Sequence, residues 1–144
     1  MAVKPVPEGF RTVTPYLVVN DVPRLIEFMK GAFDAVETER TVDGSGRVAH
    51  AQLRLGDSMV MMGQAMEGFP ATPAQIYLYV PDADAVYRQA VKAGGTSLME
   101  PANQFYGDRS GGVQDPTGNK WWIATHVEDV SAEEIARRMR ERKK

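Results

Sequence analysis

The chain has 144 residues, of which 43% are hydrophobic and 25% charged, a composition typical of a single globular domain with a core of its own. A formal net charge of −2 provides no overall field that would attract nucleic acid, and the absence of cysteine excludes disulfides, thiolate nucleophiles and cysteine-ligated metals. The N-terminus has no apolar stretch, and no apolar run approaches the length of a membrane span, so we expect neither a signal peptide nor a transmembrane helix. We expect a cytoplasmic protein, which the absence of cysteine also fits.

Two parts of the chain repeat one pattern. PYLVVND at 15–21 and IYLYVPD at 76–82 align with an offset of 61, and the same offset aligns SMVMMGQ at 58–64 with NKWWIAT at 119–125. Two strands that match at the same offset, one at each end of a unit, arise by chance less often than a single matching apolar strand. The sequence therefore predicts two copies of one structural module.

Each copy begins with a strand that is followed by a helix. Apolar residues recur at helical spacing across Val22–Ala35 and Ala83–Gly94, and Asp21 and Asp82 stand directly before these segments. Aspartate is a preferred N-cap residue, because its carboxylate accepts a hydrogen bond from a backbone N–H group of the first helical turn. We expect both helices to begin after these aspartates.

Further strands complete each module. They are predicted over Glu37–Val42, Arg47–Leu55 and 58–64 in the first copy, and over Thr96–Glu100, Gly107–Gln114 and 119–125 in the second. Each copy thus reads βαβββ, which predicts an α+β fold in which the two modules form a curved mixed sheet with outer helices. The modules are predicted at 12–64 and 75–126, with a linker at 65–74, within one domain of residues 1–144.

The C-terminal tail at 131–144 opens with a Ser-x-x-Glu capping box, which predicts a short helix. It holds six Lys or Arg and three Glu, so it carries about +3 and the rest of the chain about −5. A basic tail can contact RNA or a membrane surface, but a solvated helix end is the more common explanation of such a run. We therefore expect neither a nucleic-acid nor a membrane partner.

Alternation along the strands separates two faces. In QIYLYV at 75–80 the aliphatic residues share one face, which is predicted to pack on the helices, while Gln75, Tyr77 and Tyr79 share the other. In the first module the same reasoning places Tyr16, His50 and Gln52 on the second face, and the repeat adds Met59, Met61 and Trp122 to it. Trp121 is assigned to the helix side. The mixed face is predicted to line a concavity, with a solvated face as the alternative.

The paired βαβββ modules and the segment FYGDRSGGVQDPTGNKWWIATH at 105–126 resemble the vicinal oxygen chelate superfamily, which includes glyoxalases, bleomycin-resistance proteins and extradiol dioxygenases. This segment and HAQLRLGDSMVMM at 50–62 are most similar to its PhnB-like branch. The resemblance covers roughly residues 12–126 and implies a homodimer, since small members of this fold usually dimerise. It implies the fold more strongly than an activity, because this fold hosts many chemistries.

Metal-dependent members of the superfamily take one ligand from the first and one from the last strand of each module, usually His, Gln or Glu. The positions of this chain that match are Thr14, Met61, Gln75 and Trp122, and both pairs are related by the offset of 61. Of these four, only Gln75 is a usual ligand, because divalent Mn, Fe and Zn prefer imidazole or carboxylate groups. We therefore expect no bound metal and no other cofactor.

Five further residues bear on chemistry. His50 is a candidate general base if a carboxylate or hydroxyl fixes its tautomer, although a structural strand histidine is the favoured interpretation. His126, at the end of the last strand, is predicted to be structural or exposed. Arg109 is predicted by the repeat to face the concavity, where it either binds an anionic ligand group or forms a salt bridge that pins the strands. The pair Gly111-Gly112 is interpreted as a bulge rather than a point of close ligand approach.

The predicted ligand-binding set has nine members: Tyr16, His50, Gln52, Met59, Met61, Gln75, Tyr77, Arg109 and Trp122. Aromatic rings and thioethers bind flat or amphipathic molecules by stacking and adaptable contacts. The sequence therefore predicts a protein that binds a small organic molecule in a metal-free, aromatic-lined cavity. The alternatives are a metal-free acid–base enzyme that uses His50, a metal-dependent lyase, isomerase or dioxygenase of the same superfamily, and a structural dimer with a filled cavity.

Overall fold

A computed structural model describes residues 2–142 of the chain. In chain order its elements are β1 (Tyr16–Val19), α1 (Val22–Phe33), β2 (Val36–Val42), β3 (Val48–Leu55), β4 (Ser58–Gln64), β5 (Gln75–Tyr79), α2 (Ala83–Lys92), β6 (Thr96–Asn103), β7 (Asp108–Gln114), β8 (Lys120–His126) and α3 (Ala132–Arg142). Each half therefore has the predicted order βαβββ, and the predicted fold class is confirmed.

The eight strands form two mixed sheets, one in each module. Their orders are β1-β4-β3-β2 and β5-β8-β7-β6, and in each sheet the first and last strands of the module pair in parallel while the other neighbours are antiparallel. Within residues 2–142 no pair of strands joins the two sheets. The sheet expected from the sequence is thus realised as two four-stranded sheets that carry the same topology.

One hydrophobic core serves both modules. The helices α1 and α2 pack against each other, and the Phe33 ring of α1 lies 4.9 Å from the Trp121 ring of β8. Eight strand residues of this core are ones that alternation assigned to the helix side, and each is at most 3% exposed: Leu17, Val19, Ala51, Leu53, Val60, Met62, Trp121 and Ile123. The core also includes Val113 and Val48, and alternation had placed Val48 on the opposite face. One face of each sheet is therefore committed to the shared core, and the opposite face is turned away from it.

Both helices begin at the predicted caps but end two residues earlier than predicted. The Asp21 carboxylate accepts a hydrogen bond from the Arg24 N–H at 3.1 Å, and Asp82 accepts one from the Ala85 N–H at 3.1 Å. The first helix ends at Asp34, which adopts a left-handed conformation (φ 56°) and donates its N–H to the Lys30 carbonyl. This residue terminates the helix because it satisfies a free carbonyl while turning the chain away from the helix axis.

The C-terminal helix α3 starts at the predicted capping box, where the Ser131 hydroxyl accepts a hydrogen bond from the Glu134 N–H at 3.1 Å. Arg138 fixes the helix to the second module by donating to the Phe105 carbonyl at 2.9 Å and to Glu128 at 2.9 Å. The last two residues of the predicted tail, 143–144, lie outside the described residues. None of the helices in the described part of the chain is long and apolar enough to span a membrane.

Candidate functional site

The predicted ligand-binding residues lie on the faces of the two sheets that are turned away from the core. The first sheet carries Tyr16, His50, Gln52 and Met61, and the second carries Gln75, Tyr77 and Trp122. Tyr16 and Tyr77 are 52% and 42% exposed, so these faces are open in a single chain. Met59 lies on the first of these faces but is buried. The structure therefore brings the predicted residues together as two groups, one on each sheet.

On the first sheet, Tyr16 of β1 lies across Gly63 of the neighbouring strand β4. A Cβ atom at position 63 would stand 2.5 Å from the Tyr16 hydroxyl oxygen, so a side chain there would displace the ring from this place. His50 is the register partner of Gly63 on β3, and its ring centroid lies 5.7 Å from that of Tyr16. The glycine thus allows the phenol ring to lie over the sheet beside the imidazole.

His50 has the carboxylate partner that a general base requires. Its Nδ1 atom lies 3.0 Å from Oε2 of Glu39 on β2, and the Thr41 hydroxyl donates to the same carboxylate. These hydrogen bonds, the one from Thr41 first, lower the pKa of Glu39. Because an ionised Glu39 can only accept, Nδ1 is the donor in this contact, and Nε2 is the ring nitrogen that faces away from the carboxylate.

On the second sheet, Trp122 of β8 repeats the arrangement of Tyr16. A Cβ atom at Gly112 of the neighbouring strand β7 would stand 2.3 Å from Cζ3 of the indole, so the ring lies over the glycine. Its Nε1–H donates to the Gln75 side-chain oxygen at 2.9 Å, which fixes the ring in its plane. Trp122 therefore presents an aromatic surface on the open face, whereas its neighbour Trp121 is buried in the core.

Gly111 and Gly112 have separate roles, because adjacent strand residues point to opposite faces. Gly112 makes room for Trp122, a role that the sequence interpretation missed. Gly111 lies opposite a register shift in β6 between Met99 and Ala102, and a Cβ atom at 111 would stand 3.0 Å from the Met99 carbonyl oxygen. The predicted bulge is thus present, and it is located in the partner strand β6.

A buried carboxylate, which the sequence did not predict as a site residue, organises the other end of the second face. Asp108 of β7 is 2% exposed and accepts hydrogen bonds from the hydroxyls of Tyr77 and Tyr79 at 2.7 and 2.9 Å. Its second oxygen lies 2.8 Å from Nδ1 of His126. Burial raises the pKa of Asp108, but the hydrogen bonds from His126 and the two tyrosines outweigh it, so the net shift is downward and the carboxylate is ionised at neutral pH.

His126 is held between two carboxylates. Its Nδ1 contacts Asp108, and its Nε2 lies 2.7 Å from Oδ1 of Asp129. Both contacts are hydrogen bonds only when both ring nitrogens carry protons, that is, in the imidazolium form. The two hydrogen bonds, that to Asp108 first, accordingly raise the pKa of His126. His126 is therefore structural and partly exposed, as predicted, and it orients the Asp108 carboxylate.

The prediction that Arg109 faces the concavity is wrong. Arg109 lies on the helix side, where its guanidinium donates to both carboxylate oxygens of Asp84 on α2 at 2.9 and 3.1 Å. The predicted alternative, a salt bridge that pins the strand, is what the structure contains. Arg109 therefore holds α2 against β7 and does not contribute to the open face.

The cause of this error is a change in the repeat offset. The offset of 61 relates β1 to β5 and β4 to β8, but in the third strand Gln52 pairs with Met61 while Gly112 pairs with Trp122, which is an offset of 60. The loop between β7 and β8 is longer than the tight turn between β3 and β4, and the added residues move the register. A shift of one residue reverses the face of every side chain in a strand.

Two clefts lie away from these faces. One of about 230 Å³ is lined by Asp84, Tyr87, Arg88, Glu100, Pro101 and Arg109. Another of about 480 Å³ is lined by Asn20, Asp21, Pro23, Gly46, Arg47, Val48 and Gln64. Of the nine predicted ligand-binding residues, only Arg109 contributes to either cleft, so the aromatic surfaces are features of the open sheet faces.

The residues at the four family ligand positions do not fit a divalent metal. Gln75 uses its side-chain oxygen to accept the Trp122 N–H, and an indole that donates this hydrogen bond has no lone pair for a metal. Thr14 contacts the Arg11 carbonyl at 3.5 Å, and Met61 offers only a soft thioether. Within residues 2–142 no group of three or more His, Cys, Asp or Glu side chains is arranged to hold a metal ion.

Two βαβββ modules, each with its first and last strands in parallel pairing, define the glyoxalase/bleomycin-resistance fold. The family model of the Glyoxalase/Bleomycin resistance protein/Dioxygenase superfamily matches residues 11–123, and the chain belongs to this superfamily. An uncharacterised protein of Mycobacterium bovis is 37% identical over 134 residues, which are 85% of this chain and 88% of the relative. One from Mycobacterium tuberculosis is 37% identical over 85% of this chain and 79% of the relative.

Solved structures share the fold at lower identity. TioX from Micromonospora sp. ML1 is 22% identical with a TM-score of 0.71, and the match covers 81% of this chain and 99% of that chain. The fosfomycin resistance protein FosX from Mesorhizobium loti is 20% identical with a TM-score of 0.62, covering 88% and 97%. At these identities the likeness is one of fold, and it carries no activity to this chain.

Proposed function

We propose that this protein is a member of the PhnB-like branch that binds a small planar organic molecule without a metal ion, as a homodimer in the cytoplasm. One observation carries the proposal: each sheet presents an aromatic ring, Tyr16 or Trp122, that lies over a glycine of the neighbouring strand on an open face. A ring fixed in this way offers its surface for stacking on another flat ring. Met61 beside Tyr16 adds an adaptable thioether contact.

A second copy of the chain supplies the other wall of the proposed site. In one chain the two open faces are turned away from the shared core, so each is covered on one side only. When the first-module face of one protomer is placed opposite the second-module face of its partner, a planar ligand between them stacks on Tyr16 and on Trp122. Binding pockets enclose most of the surface of a ligand, which neither face alone does.

Tryptophan fluorescence tests the proposal, because the two tryptophans occupy different environments. In the variant Trp121→Phe the emission comes from Trp122 alone, and a planar heteroaromatic compound that binds is expected to quench it saturably. The variant Gly112→Ala displaces the indole from its place over the sheet and is expected to weaken binding about two- to tenfold, the range of an aromatic pair. Quenching is followed by titration at constant protein concentration.

The matched control is Gly44→Ala, because a Cβ atom at Gly44 would meet nothing within 4 Å. Its affinity should equal that of the parent. Sedimentation equilibrium gives the oligomeric state of the same samples. If the screened planar compounds leave the Trp122 emission unchanged, or Gly44→Ala weakens binding as much as Gly112→Ala, the stacking proposal fails. If the protein is a monomer at all concentrations, the proposal that a second protomer supplies the other wall of the site fails.

A metal-free acid–base enzyme is the second candidate function, and the contact between His50 and Glu39 favours it. The imidazole lies on the open face beside Tyr16, with a carboxylate that fixes the proton on one nitrogen and leaves the other free to accept one from a ligand. Turnover that is lost in both His50→Gln and Glu39→Gln, while planar compounds still bind, would support the enzyme. Binding without turnover in any variant supports the first candidate.

A further inference from the structure

The hydrogen bonds of the second-module face indicate which charge its ligand carries, if the proposed function holds. We propose that Tyr77 and Tyr79, above the buried Asp108 carboxylate, form a subsite for an organic cation, an ammonium group carried by the planar ligand that stacks on Trp122. The inference rests on the proposed function and adds the charge of the ligand to it. Its support comes from the aromatic rings, the direction of their hydrogen bonds and the charges beneath them.

The aromatic rings at this subsite are contiguous and accessible. The ring centroids of Tyr77 and Tyr79 are 5.3 Å apart with an angle of 60° between their planes, and the side chains are 42% and 66% exposed. Tyr77 is also the register partner of Trp122 on the adjacent strand. A ligand whose flat part rests on Trp122 can therefore place a substituent over the tyrosine rings, whose faces attract cations.

The direction of the hydrogen bonds makes this surface favourable for a cation. Both tyrosine hydroxyls donate their protons inward to Oδ2 of Asp108. Neither phenol therefore has a proton to donate to a ligand, and the Tyr77 oxygen also lies 3.5 Å from the Tyr106 hydroxyl. Burial and the neighbouring Tyr106 and Asp108 raise the pKa of Tyr77, so the phenol keeps this proton at neutral pH. An anionic ligand group would find no donor from either tyrosine at this end of the face.

The hydrogen-bonded cluster that Asp108 forms with His126 and Asp129 carries a net negative charge. Asp108 and Asp129 contribute two carboxylates, and the His126 imidazolium between them balances only one. The Lys120 ammonium belongs to the opposite end of the strand, where its register partners are Gln75 and Gln114, two positions beyond Trp122. The Arg142 guanidinium lies over the Phe105 ring, so the charged group in direct contact with the two phenols is the Asp108 carboxylate, and a ligand cation is favoured there over a neutral group of equal size.

Three probes of similar shape test the inference: benzyltrimethylammonium, its neutral carbon isostere neopentylbenzene, and benzenesulfonate. Affinities are measured by quenching of Trp122 in Trp121→Phe. The cation is expected to bind about 2- to 30-fold more tightly than the neutral isostere, the range of a cation–π contact, and the anion more weakly than either. Equal affinity for the cation and the isostere would overturn the inference.

Tyr79 provides a matched pair of variants, and its exposed position makes both compatible with folding. Tyr79→Phe keeps the ring and should retain a preference for the cation, whereas Tyr79→Leu should reduce that preference to less than half. Retention of the full preference in Tyr79→Leu would also overturn the inference. The two proposals fail separately: if neutral planar compounds bind without a charge preference, only the cation subsite is lost, and if no probe or planar compound quenches Trp122, the proposed function is lost.

Discussion

Replacing Trp121 by alanine is expected to lower the free energy of unfolding by about 3–5 kcal/mol, the range measured for large aromatic residues in well-packed cores. Trp121 is fully buried, its ring packs 4.9 Å from Phe33, and its Nε1–H donates to Asp115 at 2.7 Å. The substitution leaves a cavity where β8 of the second module meets α1 of the first, and it removes one donor from a buried carboxylate. Denaturant unfolding followed by far-UV circular dichroism measures the loss.

Trp122→Ala is the matched control, since it removes an identical side chain from the next residue. Trp122 lies on the open face, where its loss is expected to cost less than about 1.5 kcal/mol. Trp121→Phe separates packing from hydrogen bonding, because it preserves most of the ring contacts and removes the N–H donor to Asp115. Equal destabilisation by the two alanine variants would contradict the assignment of the tryptophans to opposite faces.

The contrast between the two tryptophans shows what alternation in a sequence can predict. Side chains that follow each other in a strand point to opposite sides, so one known core residue fixes the face of its neighbours. Leu17, Met62 and Ile123 were assigned to the core in this way, and the structure buries them all. The fold followed from the same local information, because the βαβββ order was readable from helix caps, turns and period.

Arg109 is a residue whose face alternation alone could not predict. Its face was inferred by carrying the register of β3 onto β7, and the transfer depends on equal loops at the end of both strands. The residues that lengthen the loop between β7 and β8 do not change the pattern of apolar residues, so the pattern does not reveal the shift in register. Register in an antiparallel pair is set by the turn, and an error of one residue in the alignment is enough to exchange the two faces.

The cluster around Asp108 was not predictable for a different reason. Asp108 is adjacent to Arg109 in the sequence, but adjacent strand residues point to opposite faces, so its neighbour does not indicate its partners. The true partners of Asp108 are Tyr77 and Tyr79, which reach it from β5 across the intervening strand β8. Contacts of this kind depend on the order of strands in the sheet and on side-chain length, and the alternation of apolar and polar residues along one strand predicts neither.

Asp108→Asn is expected to lower the free energy of unfolding by about 1–3 kcal/mol, the cost of leaving buried hydrogen-bonding groups mismatched. The variant keeps the size of the side chain but replaces one acceptor oxygen by an NH₂ donor, so the remaining oxygen can accept either from the two tyrosine hydroxyls or from His126, but not from both. Parallel thermal and denaturant unfolding of wild type and variant across a range of pH measures this loss.

The size of the loss should depend on pH in a direction that the pKa shifts determine. The pKa of Asp108 is lowered from 3.8, so its stabilising contribution is present above that value and disappears as pH falls through the folded-state pKa. The pKa of His126 is raised from 6.5, so its contribution is complete below that value and disappears as pH rises through the folded-state pKa. The difference between wild type and Asp108→Asn is therefore expected to be largest between about pH 4 and 6.5.

Asp84→Asn distinguishes this network from an ordinary ion pair. Asp84 also has a lowered pKa, because of its hydrogen bonds from Arg109, but arginine does not titrate near neutral pH. Its loss should be constant from pH 5 to about 9, whereas the loss in Asp108→Asn should shrink above pH 6.5 as His126 gives up its proton. Parallel pH profiles for the two variants would mean that His126 is not the partner of Asp108. Because the same carboxylate directs the Tyr77 and Tyr79 protons inward, a decline above pH 6.5 would link the histidine to the surface on which the ligand is proposed to rest.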